Sequence, residues 1–315
     1  MSNRKKQNKQ RQFGVGWIFL IVMGFFIFLI FIPNNGVNKV KFPDLHGLSY
    51  SEDGGELVAA VHDGLKVYSD SSWSVPDIPK NDYMGYSPVK NGFYSSGHPA
   101  PSSNLKNPLG IVKSKDNGET VEIVDLQGEA DFHALSVGYE TEEIYVFAAE
   151  PNSKMKEQGF YYSTDQGETW NLMNMQGISG SPLTMAAHPS KNGTLAIGTD
   201  QGLFLSENYG NTFDQILGEF SVSAAVFADN DTIIAGINNK GNNAITEVNI
   251  NNNQSTNYSM PKNSDGNITY IAVNHKNKKE LSFATDQLNI YTTSDSGETW
   301  EKIVEEGAGK NTGKD

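Results

Sequence analysis

The chain has 315 residues, a formal net charge of −13 and no cysteine. The missing cysteines exclude a disulfide framework, thiolate catalysis and a Cys-ligated metal. The acidic balance excludes nucleic acid as a partner, because a phosphate-binding surface needs clustered cations. The charge is also unevenly spread: Arg4, Lys5, Lys6, Lys9 and Arg11 all lie in residues 1–12. The rest holds 19 lysines, no arginine and all 37 acidic residues, a formal charge of −18.

Residues 1–12 therefore read as a basic cytoplasmic tail. Residues 13–32 follow without a charge and rich in Phe, Ile and Leu, long enough to cross a hydrocarbon core of ~30 Å as a helix. The flanking cations place the amino terminus inside and the remainder outside. The run exceeds the apolar core of a signal peptide, roughly 7–15 residues, and 28–33 offers no small-x-small cleavage site. The expectation is an uncleaved, single-pass signal anchor in the cell membrane with an extracellular domain.

After a polar spacer at 33–40, brief apolar runs alternate with Gly, Asn, Asp and Pro turns and no long helical period appears, an all-β signature. Within this region one octamer recurs: SKDNGETV from Ser114, STDQGETW from Ser163, SENYGNTF from Ser206 and TSDSGETW from Thr293. Each reads as a strand end, a tight polar turn and a returning aromatic or apolar residue. The Asp suits an Asx-turn, accepting from backbone N–H two residues on, and the Gly supplies positive φ. Trp170, Phe213 and Trp300 are then packing residues between repeats.

The turn positions Asp116, Asp165, Asn208 and Asp295 are 49, 43 and 87 residues apart. The last gap is nearly double, so one repeat has a substitute turn, placed at 251–254. Counting back from Asp116 leaves one earlier repeat, with Asp70 and Trp73 as a degenerate copy. Six repeats of four strands, about 41–80, 81–128, 129–176, 177–219, 220–262 and 263–305, predict a six-bladed β-propeller over 41–305. The first and last blades each hold four strands, so 37–42 is the candidate to pair with the last blade. Residues 306–315 read as a disordered Gly/Lys tail.

The octamers resemble the Asp-box, or bacterial neuraminidase repeat, and the chain resembles the propellers that carry it: sialidases, sortilin-type receptors, xyloglucanase-type glycosidases and photosystem assembly factors. Residues 183–213, LTMAAHPSKNGTLAIGTDQGLFLSENYGNTF, look like one whole blade of the xyloglucanase and sortilin kind. The resemblance implies fold; the box itself is a structural turn.

In a propeller the innermost strands start at the same face to which the loops between second and third strands return. That rule gathers Asp44, His46, Asp82, Tyr83, Asp131 and His133 at one mouth, joined by His62, Asp63, the long 95–106 segment with His98, and the 150–158 segment with Glu150. Blades four to six add Thr184, Asp200, Ser223, Tyr270 and Asp286. His188 and His275 fall on the far face. Asp44, Asp82, Asp131 and Glu150 are the candidate catalytic residues; His46, His62, His98, His133 and Tyr83 the candidate ligand-binding residues. His and Asp at strand starts also cap loops, so the same pattern has a purely structural reading.

The sialidase likeness implies three arginines around a substrate carboxylate, and this region has none. A xyloglucanase-like inverting mechanism needs two carboxylates roughly 6.5–9.5 Å apart, and those enzymes work in a cleft between two propellers, whereas one is present here. A divalent metal on the histidines, zinc or manganese, is a third reading; no cofactor is otherwise implied. Two function classes follow: an extracytoplasmic module binding a glycan or protein at one propeller face, or a glycosyl hydrolase-like enzyme acting on a polysaccharide.

Overall fold

The computed structural model describes residues 39–262 and 264–310. The predicted tail 1–12, anchor 13–32 and nearly all of the spacer lie outside the described residues. Among the described residues, no helix is long and apolar enough to cross a membrane.

After β1 (Lys39–Lys41), the chain runs through six antiparallel four-stranded meanders. Blade one is β2 (Gly47–Tyr50), β3 (Leu57–Val61), β4 (Gly64–Ser69) and β5 (Ser72–Ser74). Blade two is β6 (Asp82–Val89), β7 (Gly92–His98), β8 (Ile111–Ser114) and β9 (Glu122–Asp125). Blade three is β10 (Leu135–Val137), β11 (Ile144–Ala148), β12 (Gly159–Ser163) and β13 (Asn171–Leu172). Blade four is β14 (Pro182–Ala187), β15 (Leu195–Thr199), β16 (Gly202–Ser206) and β17 (Asp214–Gly218). Blade five is β18 (Ser221–Phe227), β19 (Thr232–Asn239), β20 (Asn242–Asn249) and β21 (Ser255–Asn257). Blade six is β22 (Ile268–Val273), β23 (Leu281–Thr285), β24 (Ile290–Thr293) and β25 (Glu301–Glu305), extended by β26 (Ala308–Lys310). The protein is a six-bladed all-β propeller.

Strand composition follows radial position. Second and third strands are covered by neighbouring blades on both sides, so Leu195–Thr199, Gly202–Ser206 and Leu281–Thr285 are buried throughout; such strands read as continuous apolar runs. The outermost strands Asn171–Leu172 and Ser255–Asn257 are short and exposed, which limits the free edge available for pairing with another chain. Six hydrophobic clusters lie one at each junction between neighbouring blades.

The octamer turns repeat one hydrogen-bond pattern. In Ser163–Trp170, the Ser163 hydroxyl donates to Asp165 Oδ1 at 2.8 Å and accepts from the Gly167 N–H at 2.8 Å. Asp165 also accepts the Thr169 N–H at 2.9 Å and hydroxyl at 2.6 Å. The Asp therefore reaches four residues on, not two as an Asx-turn would. The turns at Asp116 and Asp295 are the same, and Asn208 reproduces the pattern with its amide accepting the Thr212 N–H and donating to its hydroxyl. Gln166 and Gly167 both have positive φ, 57° and 85°; the glycine takes the second such position without steric cost. The aromatics reach the preceding blade: Trp170 Nε1 donates to Asp125 Oδ2 at 2.8 Å and Trp300 Nε1 to the Ser259 carbonyl at 2.6 Å.

Two expected turns differ in kind. Asp70 and Ser71 form a two-residue hairpin turn with φ of 49° and 62°, so blade one has no box there, although Trp73 packs inward as the box aromatics do. In blade five the Asn-rich turn forms as expected, with Asn253 at φ 58° and Asn249 and Asn252 side chains accepting backbone N–H.

The ring closes at its outer rim. β1 pairs with β26 and β26 with β25, giving a six-stranded last sheet, and the Phe42 N–H donates to the Gly307 carbonyl at 2.8 Å. Residues 308–310 are therefore strand, which corrects the reading of 306–315 as one disordered tail. The expected pairing of 37–42 with the last blade is made by Lys39–Lys41, through this added strand rather than directly. Trp73 is fully buried at this seam, edge-on to Phe42, with its Nε1 donating to the Ile303 carbonyl at 3.1 Å. A Cβ on Gly309 would lie 2.7 Å from Trp73 Cδ1, so the strand approaches the indole only as glycine.

Trp73→Ala should cost roughly 3–5 kcal/mol, read as a lower midpoint in urea unfolding; an unchanged midpoint would mean that the seam contributes nothing to stability. The box turns yield a pH-dependent expectation. Hydrogen bonds from Thr169 and Ser163 hold the Asp165 carboxyl at about 2, below its usual 3.8. Its contribution is present above the unfolded value and is lost as pH falls through the folded one. Asp165→Ala should lower Tm near neutrality, and its gap from wild type should narrow as pH approaches about 2; a gap independent of pH would contradict this role.

Candidate functional site

The site is built on strand starts and turns at one end of the propeller axis. Asp44 and His46 stand in the link from β1 to β2, His62 in the turn from β3 to β4, and Asp82 opens β6. His98 ends β7 directly across the ladder from Asp82. Asp131 and His133 precede β10. The β7–β8 and β11–β12 connections, 99–110 and 149–158, are long loops. Loops on a rigid scaffold often carry function.

These residues form two touching groups. In the first, His46 Nε2 faces His62 Nδ1 at 2.6 Å, and Asp44 Oδ2 lies 2.5 Å from the same His62 nitrogen. Asp44 Oδ1 accepts the His62 backbone N–H at 2.9 Å, which fixes the carboxylate. The two imidazoles stack, with centroids 4.7 Å apart. Asp82 Oδ1 points at the pair, 3.4 Å from His62 Nδ1 and 3.9 Å from His46 Nε2, and makes no hydrogen bond. In the second group Asp131 Oδ2 lies 3.0 Å from His133 Nε2 and 3.5 Å from His98 Nε2. The other His98 ring nitrogen meets Asn107 Oδ1 at 2.6 Å.

Burial sorts these groups. The Asp82 and His46 side chains are 15% and 17% exposed, whereas His62, His98 and His133 are open to solvent. Desolvation raises the Asp82 carboxyl above its usual value, against the attraction of the surrounding histidines. Desolvation also lowers His46, against the pull of Asp44 and Asp82. Both shifts mark a place where charge is poorly solvated.

Below the mouth runs an axial cavity of about 270 Å³ lined by the small inner-strand residues Gly47, Ser49, Gly85, Ser87, Ser136 and Ala186. Tyr139 and His275 close over its other end, ring centroids 5.0 Å apart. Tyr270, at the Asp44 end, is pushed up to about 12 by burial with the Asp44 charge adding to it. Ligand pockets for drug-sized molecules run roughly 300–1,000 Å³, so recognition of anything large belongs to the mouth and its loops.

The structure brings Asp44, His46, His62, Asp82, His98, Asp131 and His133 together. It does not bring Tyr83. Successive residues of a strand point to opposite faces, so with Asp82 at the mouth Tyr83 turns into the blade one–two junction. There it is fully buried against Phe93, with Asn81 donating to its hydroxyl at 3.0 Å; its assignment to a ligand is overturned. Ser95 and Ser96 belong to β7 rather than to a loop, and Ser96 accepts the Phe132 N–H and donates to the Gly110 carbonyl. Asp200 and Asp286 accept the N–H of Ser181 and Asn267, which makes them turn acceptors. Glu150 is exposed in its loop. His188 is buried on the far face, accepting two backbone N–H at Nδ1 and donating to Asn230 from Nε2. The channel tyrosines Tyr50 and Tyr86 were missed, since an aromatic in a buried strand carries no sequence mark of facing the axis.

No family model matches the chain. A xyloglucanase of Hypocrea jecorina (strain QM6a) is 40% identical over 57 residues, 18% of this chain and 7% of the enzyme. Among solved structures, the GH74 enzyme of Niastella koreensis superposes with a TM-score of 0.57 at 17% identity, over 85% of this chain and 46% of that one. An ancestral GH74 enzyme gives 0.51 at 12% identity over 85% and 40%. The chain thus spans less than half the length of these enzymes and a small fraction of the curated relative. In fold, it is a six-bladed β-propeller similar to part of the GH74 enzymes.

Proposed function

We propose that this is a membrane-anchored, extracytoplasmic Asp-box propeller that binds a glycan or protein ligand at the mouth of blades one to three. One observation carries the reading: three carboxylates and four imidazoles from three blades converge on that mouth, beside the two long loops. Groups perturbed by burial and by one another cluster at functional sites more often than elsewhere. The uncharged run 13–32 behind a basic tail supports the anchor.

The character of the mouth favours a ligand bearing ammonium or guanidinium groups. Carboxylates face it, and among the described residues every Phe, Tyr and Trp is at least half-buried, so no ring lies fully open to a sugar. A basic protein segment or an amino sugar fits better than a neutral polysaccharide.

The second reading, a glycosyl hydrolase-like enzyme, is favoured by the local identity to a xyloglucanase and the likeness to GH74 enzymes. It requires a carboxylate pair with room for sugar and water between. Asp44 and Asp82 instead bracket the paired imidazoles, which fills that gap. Asp131 with Asp82, or Glu150 on its loop, are the pairings this reading would use.

Asp82→Asn together with Asp131→Asn should abolish capture of ligands from a glycan and basic-peptide array while the far-UV spectrum stays unchanged. Undiminished capture by that folded variant would reduce the mouth to the solvated end of a channel. Turnover of a polysaccharide by wild type, lost in the double variant, would decide for the enzyme. External protease on intact cells should release the propeller and leave the amino-terminal segment behind; a protected propeller would contradict the anchored topology.

A further inference from the structure

The first group at the mouth has a chemistry that ligand capture alone does not use. Asp44, His46 and His62 each offer one donor atom, all within 4.8 Å of one another, and Asp82 Oδ1 stands beside the two ring nitrogens. Four of the six separations among Asp44 Oδ2, His46 Nε2, His62 Nδ1 and Asp82 Oδ1 are 2.5, 2.6, 3.4 and 3.9 Å, and the other Asp44 oxygen lies 3.6 Å from His46 Nε2. Ligands ~2.05 Å from a tetrahedral ion are ~3.3 Å apart, a value these separations straddle. We propose that Asp44, His46, His62 and Asp82 form a binding site for a divalent transition cation, zinc by its donor set, clamping blade one to blade two at the mouth.

Three observations carry this. The first is the set of donors: two imidazoles and two carboxylates suit zinc, whereas magnesium and calcium take oxygen ligands. The second is the opposition of like groups. In ligand tautomers, both ring nitrogens and both carboxylates present lone pairs to one another, an arrangement that repels unless a cation or a proton stands between. Two carboxylates and two neutral rings carry two negative charges, which a dication cancels. The third is the orphaned Asp82 Oδ1, inaccessible to solvent and without a hydrogen bond, beside the same two ring nitrogens. A buried polar atom without a partner is costly, and an ion there would satisfy it.

The supporting contacts match a metal site as well. The His62 N–H holds Asp44 Oδ1, the kind of outer bond that orients a ligating carboxylate. His62 is half exposed, giving the ion a path in. Only small shifts are needed to open the His46–His62 gap from 2.6 Å to the ~3.3 Å of a tetrahedral edge. The ligands come from the link before β2, the β3–β4 turn and the first residue of β6, so an ion ties three separate chain segments.

The site does not depend on which ligand the mouth takes, and its test uses none. The full-length chain in detergent, stripped with a chelator, is dialysed against zinc chloride, and metal content and Tm are measured. Wild type and His275→Gln, on the opposite face, should retain one zinc per chain. Their Tm should rise with zinc concentration, as for any ligand of the folded state. His62→Ala and Asp82→Asn should weaken zinc binding beyond the roughly 10–100-fold typical of outer-shell changes. Wild type loaded with cobalt(II) should show the intense visible bands of a tetrahedral site, a readout independent of the folding of any variant. No zinc retained by wild type, equal zinc in wild type and both ligand variants, or only weak octahedral cobalt absorption would each overturn the proposal.

Discussion

Closing the ring is the constraint on which the rest depends. Each blade buries both its faces against neighbours, and the junction clusters contain most of the buried apolar side chains among the described residues. An open ring would expose two such faces at once. Buried apolar surface contributes roughly 25 cal/mol per Å², so a gap at one junction threatens a sizeable part of a marginal total. Here the first and last blades are each complete, and closure falls to pieces outside the repeat: β1, β26, Phe42 and Trp73. The two ends of the described chain pair with one another, which makes the seam the longest-range contact in the fold and the least protected by local structure.

The box turns solve a different problem. Third and fourth strands must reverse tightly, and a tight turn leaves N–H groups without partners. The Ser or Thr hydroxyl and the Asp or Asn side chain take up those groups within eight residues, while the aromatic reaches across to the preceding blade. Each turn is thereby satisfied locally and tied to its neighbour. Because this work is confined to one face, the loops at the opposite mouth remain free to vary in length and content. That division is why motifs so plain in the sequence say little about what the mouth binds.

The propeller was legible because its information is local: four octamers and their spacing sufficed for blade number and strand order. The sorting of strand starts to one face also gathered most of the site, Asp44, His46, His62, Asp82, His98, Asp131 and His133, from topology alone. What escaped was set by partners distant in sequence or by alternation within a strand. Tyr83 follows Asp82 and so turns to the other face. Ala308–Lys310 looks like a tail until its partner strand is known. Asp70 sits where a box is due, yet Ser71 follows without the spacing that Ser163–Thr169 uses, so a two-residue turn forms. The pairing of His46 with His62, sixteen residues apart, is invisible to any motif of fixed short spacing.

Among the described residues five buried side-chain polar atoms lack a hydrogen bond, on Asp82, Gln127, Asn152, Thr285 and Tyr291, and the one at the mouth, Asp82 Oδ1, is the carboxylate among them. By contrast His188 is paired on both ring nitrogens, and Asp165 is held by turn hydrogen bonds. At Asp44, His46, His62 and Asp82 the chain sets His62 Nδ1 against two partners, His46 Nε2 and Asp44 Oδ2, of which one ring hydrogen serves one, and leaves a buried carboxylate oxygen without a donor. Desolvation of Asp82 and of His46 opposes their charged forms. A fold able to satisfy every box turn within eight residues could have placed a serine or asparagine here at little cost. Four blade-one and blade-two residues held in mutual tension make physical sense when something from outside completes them, a cation directly or a positively charged ligand across the mouth.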